Sequence, residues 1–142
     1  MKTIRPVDLK TTGKSVFAFR SSYLSFKYYI QAAFYTAALH YALKNEEEFA
    51  GVADYHVLPF QFIVQETNMY NPPHIFEVDE EDMFVAEYGG IVEGAGYEIR
   101  GFQDLIDELE YHQETEQWEY KREIYENSGV VSLKALAKTD IL

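Results

Sequence analysis

The chain has 142 residues, 47% of them hydrophobic, a formal net charge of −12 and no cysteine. A single domain of this length buries roughly two-thirds of its unfolded surface, and the lack of cysteine excludes a disulfide framework or a zinc–thiolate site, which fits a reducing, cytoplasmic setting. The first ten residues lack the apolar stretch of a signal peptide, and no run reaches the roughly 18 apolar residues of a membrane span, so no membrane partner is expected.

Residues 3–10 read as a strand. Pro6 has no N–H and places that strand at an edge or a bulge. "TTGK" breaks it. Residues 21–44 read as one long helix, capped by Ser21 or Ser22, with a core face of Leu24, Ile30, Phe34, Ala38 and Tyr41. "NEEEFAGVADY" is a polar connection. The aromatic and β-branched run 55–66 reads as a buried strand, "TNMYNPP" as a turn, and 74–79 as the next strand, antiparallel to the last. Residues 80–96 suggest a short helical turn and a glycine-rich loop. Residues 102–127 read as a second long helix, with Leu105, Leu109, His112, Trp118 and Tyr125 as its stripe. The tail 128–142 is peripheral. The order is strand, helix, strand, strand, helix, a mixed α/β domain.

The charge is divided along the chain. Residues 1–45 hold seven Lys or Arg and one acid, a balance of +6; residues 46–142 hold five bases and 23 acids, a balance of −18. A local basic surface of this kind suits phosphate contacts despite the acidic total. Within it, Asp8 and Lys10 leave the strand on one face, because strand side chains alternate. Such a pair is either a plain ion pair or half of a metal site. Lys27, Gln31 and Tyr35 recur at intervals of four, so on a continuous helix they form one stripe. That stripe is either a solvated face or a set of polar groups converging on Asp8 and Lys10. His40, His56, His74 and His112 match no metal-ligand spacing and read as structural. The glycines form no dinucleotide fingerprint, and there is no nucleophile-elbow motif.

"VDLKTT" followed about twenty residues later by "YYIQAAFY" resembles the PD-(D/E)xK nuclease superfamily, in its phage recombination exonuclease (exodeoxyribonuclease VIII-like) and RecB-type branch. The later "FQFIVQETNMYNPPHIFEVDEEDM" is similar to the strand–turn–strand that follows there, so the resemblance covers roughly residues 3–110. It implies a restriction-endonuclease-like mixed sheet flanked by helices and a metal-dependent DNA exonuclease of phage recombination or repair type. Asp8 would be the Mg²⁺ or Mn²⁺ ligand, with the Leu9 carbonyl adding a second oxygen. Lys10 would orient the attacking water and stabilise phosphate charge. Gln31 and Tyr35 would hold the lysine and the DNA, and Lys14, Arg20 and Lys27 would contact the phosphate backbone. The family carries further acids on elements before D-x-K, whereas Met1 lies seven residues before Asp8. The chain therefore reads as the C-terminal part of such a domain. It would bind metal weakly, cut linear DNA slowly or not at all, and self-associate through an unpaired sheet edge. The alternative is a non-catalytic remnant of the fold that binds DNA or protein or only oligomerises.

Overall fold

Pro6 divides the first strand as its missing N–H requires: β1 is Thr3–Ile4 and β2 is Val7–Thr12. The structure, a computed structural model, describes residues 1–68, 70–91, 96 and 98–133. It consists of two compact units, Met1–Gln103 and Asp104–Leu142.

In the first unit, β2 leads through a 3-10 turn (Val16–Ala18) and two helices, α1 (Phe19–Ser25) and α2 (Tyr28–Asn45), to β3 (His56–Val57) and β4 (Gln61–Glu66). β1 pairs parallel with β3, β2 pairs parallel with β4, and β5 (His74–Glu77) pairs antiparallel with β4. The central sheet runs β2-β4-β5, which leaves β2 at an edge. A parallel pair needs a long crossover, and the two helices supply it. The run expected as one strand over 55–66 is interrupted at 58–60, opposite the break at Pro6. Leu58 N donates to the Ile4 carbonyl and Gln61 N to the Pro6 carbonyl, so three residues span what two span on the facing strand. Pro59 sits inside this bulge, where no ladder N–H is called for. Arg5 fastens the break, donating to the Pro59 carbonyl at 3.0 Å and to Glu77 at 2.7 Å.

The helices cover the face of the sheet that carries Asp8, Lys10, Phe62 and Val64. Phe62 is fully buried, with the rings of Phe19, Tyr23, Tyr28 and Phe60 centred 4.9–6.1 Å away. The opposite face is open: Val7, Leu9 and Ile75 are 46%, 74% and 61% exposed.

The helix expected over 21–44 is two helices. The chain turns at Lys27, whose φ of +56° is left-handed, and Ser21 and Ser22 lie inside α1 rather than at a cap. Ser15 caps instead, its hydroxyl accepting from Phe17 N at the preceding turn. The expected core face also differs. α2 buries Tyr29, Ala32, Ala33 and Leu43, while Phe34, Ala38 and Tyr41 are exposed. The helix is apolar on every side, so periodicity could not choose a face. The alanines won because they allow close approach to neighbouring elements.

α3 spans Glu80–Tyr88, longer than the helical turn expected there. Asp79 caps it, accepting from Asp82 N at 2.8 Å, and the acids of its first turn complement the helix dipole. A hairpin of β6 (Gly90–Ile91) and β7 (Glu98–Ile99) follows. Gly101 is buried where a Cβ would lie 2.3 Å from the Glu87 carbonyl oxygen and 2.4 Å from Gly89 N, so only glycine fits against the end of α3.

The helix expected over 102–127 is also two: α4 (Phe102–Thr115) and α5 (Arg122–Glu126), with a left-handed Glu116 between them. In the second unit His112 is buried beneath Trp118, rings stacked at 5.4 Å, and its Nδ1 meets the Gln117 carbonyl. The Tyr125 hydroxyl donates to Glu119 and accepts from the Glu119 and Tyr120 amides. Residues 134–142 of the expected tail lie outside the described residues. Among the described residues no helix is long and apolar enough to cross a membrane.

Candidate functional site at the edge strand

Alternation places Asp8, Lys10 and Thr12 toward the helices and Val7, Leu9 and Thr11 away from them. Lys10 is the centre of the resulting cluster. Its Nζ lies 2.8 Å from Asp8 Oδ2, donates to Gln31 Oε1 at 2.9 Å, and sits 4.2 Å from the centroid of the Tyr28 ring. Phe62 closes the base, 6.0 Å from the same ammonium. Both charged side chains are mostly covered, at 25% and 20% exposure for Asp8 and Lys10. Their attraction is therefore less screened than at an open surface. Asp8 Oδ2 is buried and, beyond its ion pair with Lys10, has no hydrogen-bond partner among the described residues.

The sequence stripe is only partly assembled. Gln31, in the first turn of α2, reaches Lys10. Tyr35, one turn on, is 49% exposed, and its ring lies 6.3 Å from that of Phe34. Lys27 is exposed at the left-handed junction, outside the regular helix, so the expected spacing of four does not extend back to it. Lys14 and Arg20 are exposed in the turn after β2 and in the first turn of α1. Tyr28 is the member that sequence reasoning missed. Its signal was its place three residues before Gln31, on the same helical side.

The ladder also fixes the backbone at this edge. Pro6 and Thr12 carbonyls accept from Gln61 N and Thr67 N. In a parallel ladder the bonding direction alternates, so the even residues of β2 point their N–H and C=O at β4. Val7, Leu9 and Thr11 point theirs at the open edge. The Leu9 carbonyl and the Asp8 carboxylate thus both stand at the margin of the sheet.

A second carboxylate lies farther along the same sheet face. Glu66, the last residue of β4, is 1% exposed. It accepts from Val16 N at 2.8 Å and from Asn71 Nδ2 at 2.7 Å. The Asn71 and Val16 hydrogen bonds hold its carboxyl below the usual carboxylate range against the opposing effect of burial. It joins the turn after β2 to the turn after β4. Its signal was plain alternation, which places it on the face of Phe62 and Val64. With both partners donating to it, Glu66 reads as a fastener.

A cavity of about 550 Å³ opens elsewhere in the first unit, among α2, α3 and residues 56–60, lined by Thr36, His40, His56, Leu58, Met83 and Glu87 among others. None of Asp8, Lys10, Gln31 or Tyr35 lines it. Among the described residues, no three His, Asp or Glu side chains are grouped to hold a metal ion. No protein-family model, curated protein or solved structure matches the chain.

Proposed function

We propose that the chain carries part of a metal-dependent DNA exonuclease site of the PD-(D/E)xK type, in a restriction-endonuclease-like sheet. The observation that carries this reading is the meeting of Asp8, Lys10 and Gln31 across the strand–helix junction, at 2.8 and 2.9 Å, from positions 21 residues apart. Asp8 Oδ2, buried and without a hydrogen bond, is the oxygen donor that a hard cation such as Mg²⁺ or Mn²⁺ takes. The Leu9 carbonyl at the open edge is the second, and this donor set fits an ion that completes its shell with water and substrate phosphate. The cation, when bound, neutralises phosphate charge and lowers the pKa of a coordinated water. Gln31 and the Tyr28 ring hold the Lys10 ammonium beside the carboxylate, where it can donate to a phosphate oxygen or to the attacking water. Lys14, Arg20 and Lys27 supply positive charge along residues 14–27 for the phosphate backbone.

A second reading is favoured by the saturation of Lys10. A carboxylate, an amide and an aromatic face already engage it, as in a structural cluster of a non-catalytic DNA- or protein-binding module. Linear DNA incubated with the full chain and Mn²⁺ separates the two. The exonuclease reading expects slow shortening from the ends, with closed circular DNA untouched, and loss of the activity in Asp8→Ala and in Lys10→Ala. Shortening unchanged in both variants, or no shortening together with no Mn²⁺ binding at residues 8–10, sinks it in favour of the second.

A further inference from the structure

We propose that the open edge of β2 is a self-recognition surface, on which β2 of a second copy pairs antiparallel about a two-fold axis at Leu9. Among the described residues no strand lies beyond β2. The N–H and C=O groups of Val7, Leu9 and Thr11 therefore form an unpaired template. Such edges are ordinarily guarded by charge or proline. Here Pro6 stands before the strand, and the inward charges of β2, Asp8 and Lys10, which singly would oppose a second strand, already pair with each other at 2.8 Å. The outward side chains are Val7, Leu9 and Thr11, with Leu9 74% exposed.

The sequence also selects a register. Only odd residues present hydrogen-bonding groups at the edge, so the bonded pairs join odd to odd. With Leu9 against the partner's Leu9, Val7 meets the partner's Thr11, and the three pairs exchange backbone hydrogen bonds in both directions. The intervening non-bonded pairs then place Asp8 opposite the partner's Lys10 and Lys10 opposite the partner's Asp8. Those pairs bring side chains closest. Sliding the register by two in one direction puts Asp8 against the partner's Asp8; sliding it in the other puts Lys10 against the partner's Lys10. Like charges directly opposite are destabilising, so both neighbouring registers are disfavoured and the two-fold pairing about Leu9 remains. On the open face the register Leu9↔Ile63↔Ile75 is extended by its symmetry mate, so an apolar row crosses six strands.

The pairing does not depend on the nuclease reading, and the two compete for one atom. The Leu9 carbonyl accepts from the partner's Leu9 amide in the dimer and is the candidate metal donor in the monomer. Sedimentation of the full chain without metal reads the dimer directly, whether or not DNA is ever cut.

The expected result is a monomer–dimer equilibrium with a Kd on the order of 10–100 µM, in keeping with an interface smaller than ~1,200 Å². Leu9→Lys places like charges at the axis and gives a monomer with unchanged circular dichroism, since the side chain it replaces is exposed. Asp8→Lys and Lys10→Asp each weaken association about tenfold alone, and an equimolar mixture of the two recovers it. If these inward variants do not fold, cysteine cross-linking decides, because the native chain has no cysteine. Leu9→Cys is joined to its mate by a short thiol-reactive bifunctional cross-linker, since a bonded antiparallel pair holds its Cβ atoms about 5.5 Å apart, too far for a direct disulfide but within such a reagent's reach. Val7→Cys and Thr11→Cys cross-link when mixed and not singly. A monomer at every concentration up to about 500 µM, well above that Kd range, or Leu9→Cys cross-linking no faster than Val7→Cys alone, overturns the proposal.

Discussion

Replacing Lys10 with methionine keeps most of the stem volume and removes the ammonium. Three interactions go with it: the contact with Asp8 at 2.8 Å, the hydrogen bond to Gln31 at 2.9 Å, and the approach to the Tyr28 ring at 4.2 Å. The lost hydrogen bond costs about 1 kcal/mol net. The lost cation–π contact costs about 0.5–1 kcal/mol at a partly covered site. The largest part comes from Asp8, whose Oδ2 is buried without another partner and whose charge is left uncompensated, at about 1–3 kcal/mol. The total is about 2.5–5 kcal/mol, a large share of the roughly 5–15 kcal/mol that holds a domain together. Asp8→Asn removes the charge from the other side, so the double variant Asp8→Asn/Lys10→Met lacks the stranded carboxylate. Urea unfolding of the wild type, both single variants and the double variant gives a coupling energy of about 1–3 kcal/mol. High salt leaves most of it in place, because the pair is largely covered. Single costs that add to the double cost within about 0.5 kcal/mol refute the cluster as a coupled unit.

Gly101→Ala drives a Cβ into the Glu87 carbonyl and the Gly89 amide; backbone on both sides cannot give way cheaply, so thermal unfolding shows a loss of about 3 kcal/mol. By the same steric criterion Gly13 and Gly51 have open space around the position of a Cβ, and alanine there leaves the midpoint within about 0.5 kcal/mol of wild type. Glu66 has a folded pKa below its unfolded one. Its stabilisation is complete above the unfolded value and is lost as pH falls through the folded value. In Glu66→Gln the fall in stability below about pH 4.5 is shallower than in the wild type, as urea midpoints across pH 2–7 report; an unchanged slope counts against the assigned hydrogen bonds.

Much of the first unit was legible in the sequence. Pro6 announced a break at an edge strand, and "HIFE" announced an antiparallel neighbour, because both rest on local backbone chemistry. The helix break at Lys27 was not legible. "SFKYY" contains neither glycine nor proline, and a left-handed lysine leaves no compositional trace. The same holds for Glu116 between α4 and α5. The faces of α2 were also hidden, since Tyr28, Tyr29, Phe34 and Tyr35 surround the helix and only packing decides that Ala32 and Ala33 go inside. For the site, the Asp8–Lys10 face followed from alternation and the Gln31 contact from the helix that follows. The contribution of Tyr28 and the exposed placement of Tyr35 depend on where α2 begins, which the break at Lys27 reset.

The proposed nuclease site stands or falls with Asp8, at the margin of β2, as its cation ligand. Mn²⁺ titrated into the full chain labelled with ¹⁵N reads this directly through paramagnetic broadening. The amides of residues 8–10 are expected to broaden first, and Asp8→Asn to abolish the effect. Broadening first among the acids of α3 or α4, with residues 8–10 sharp, contradicts it.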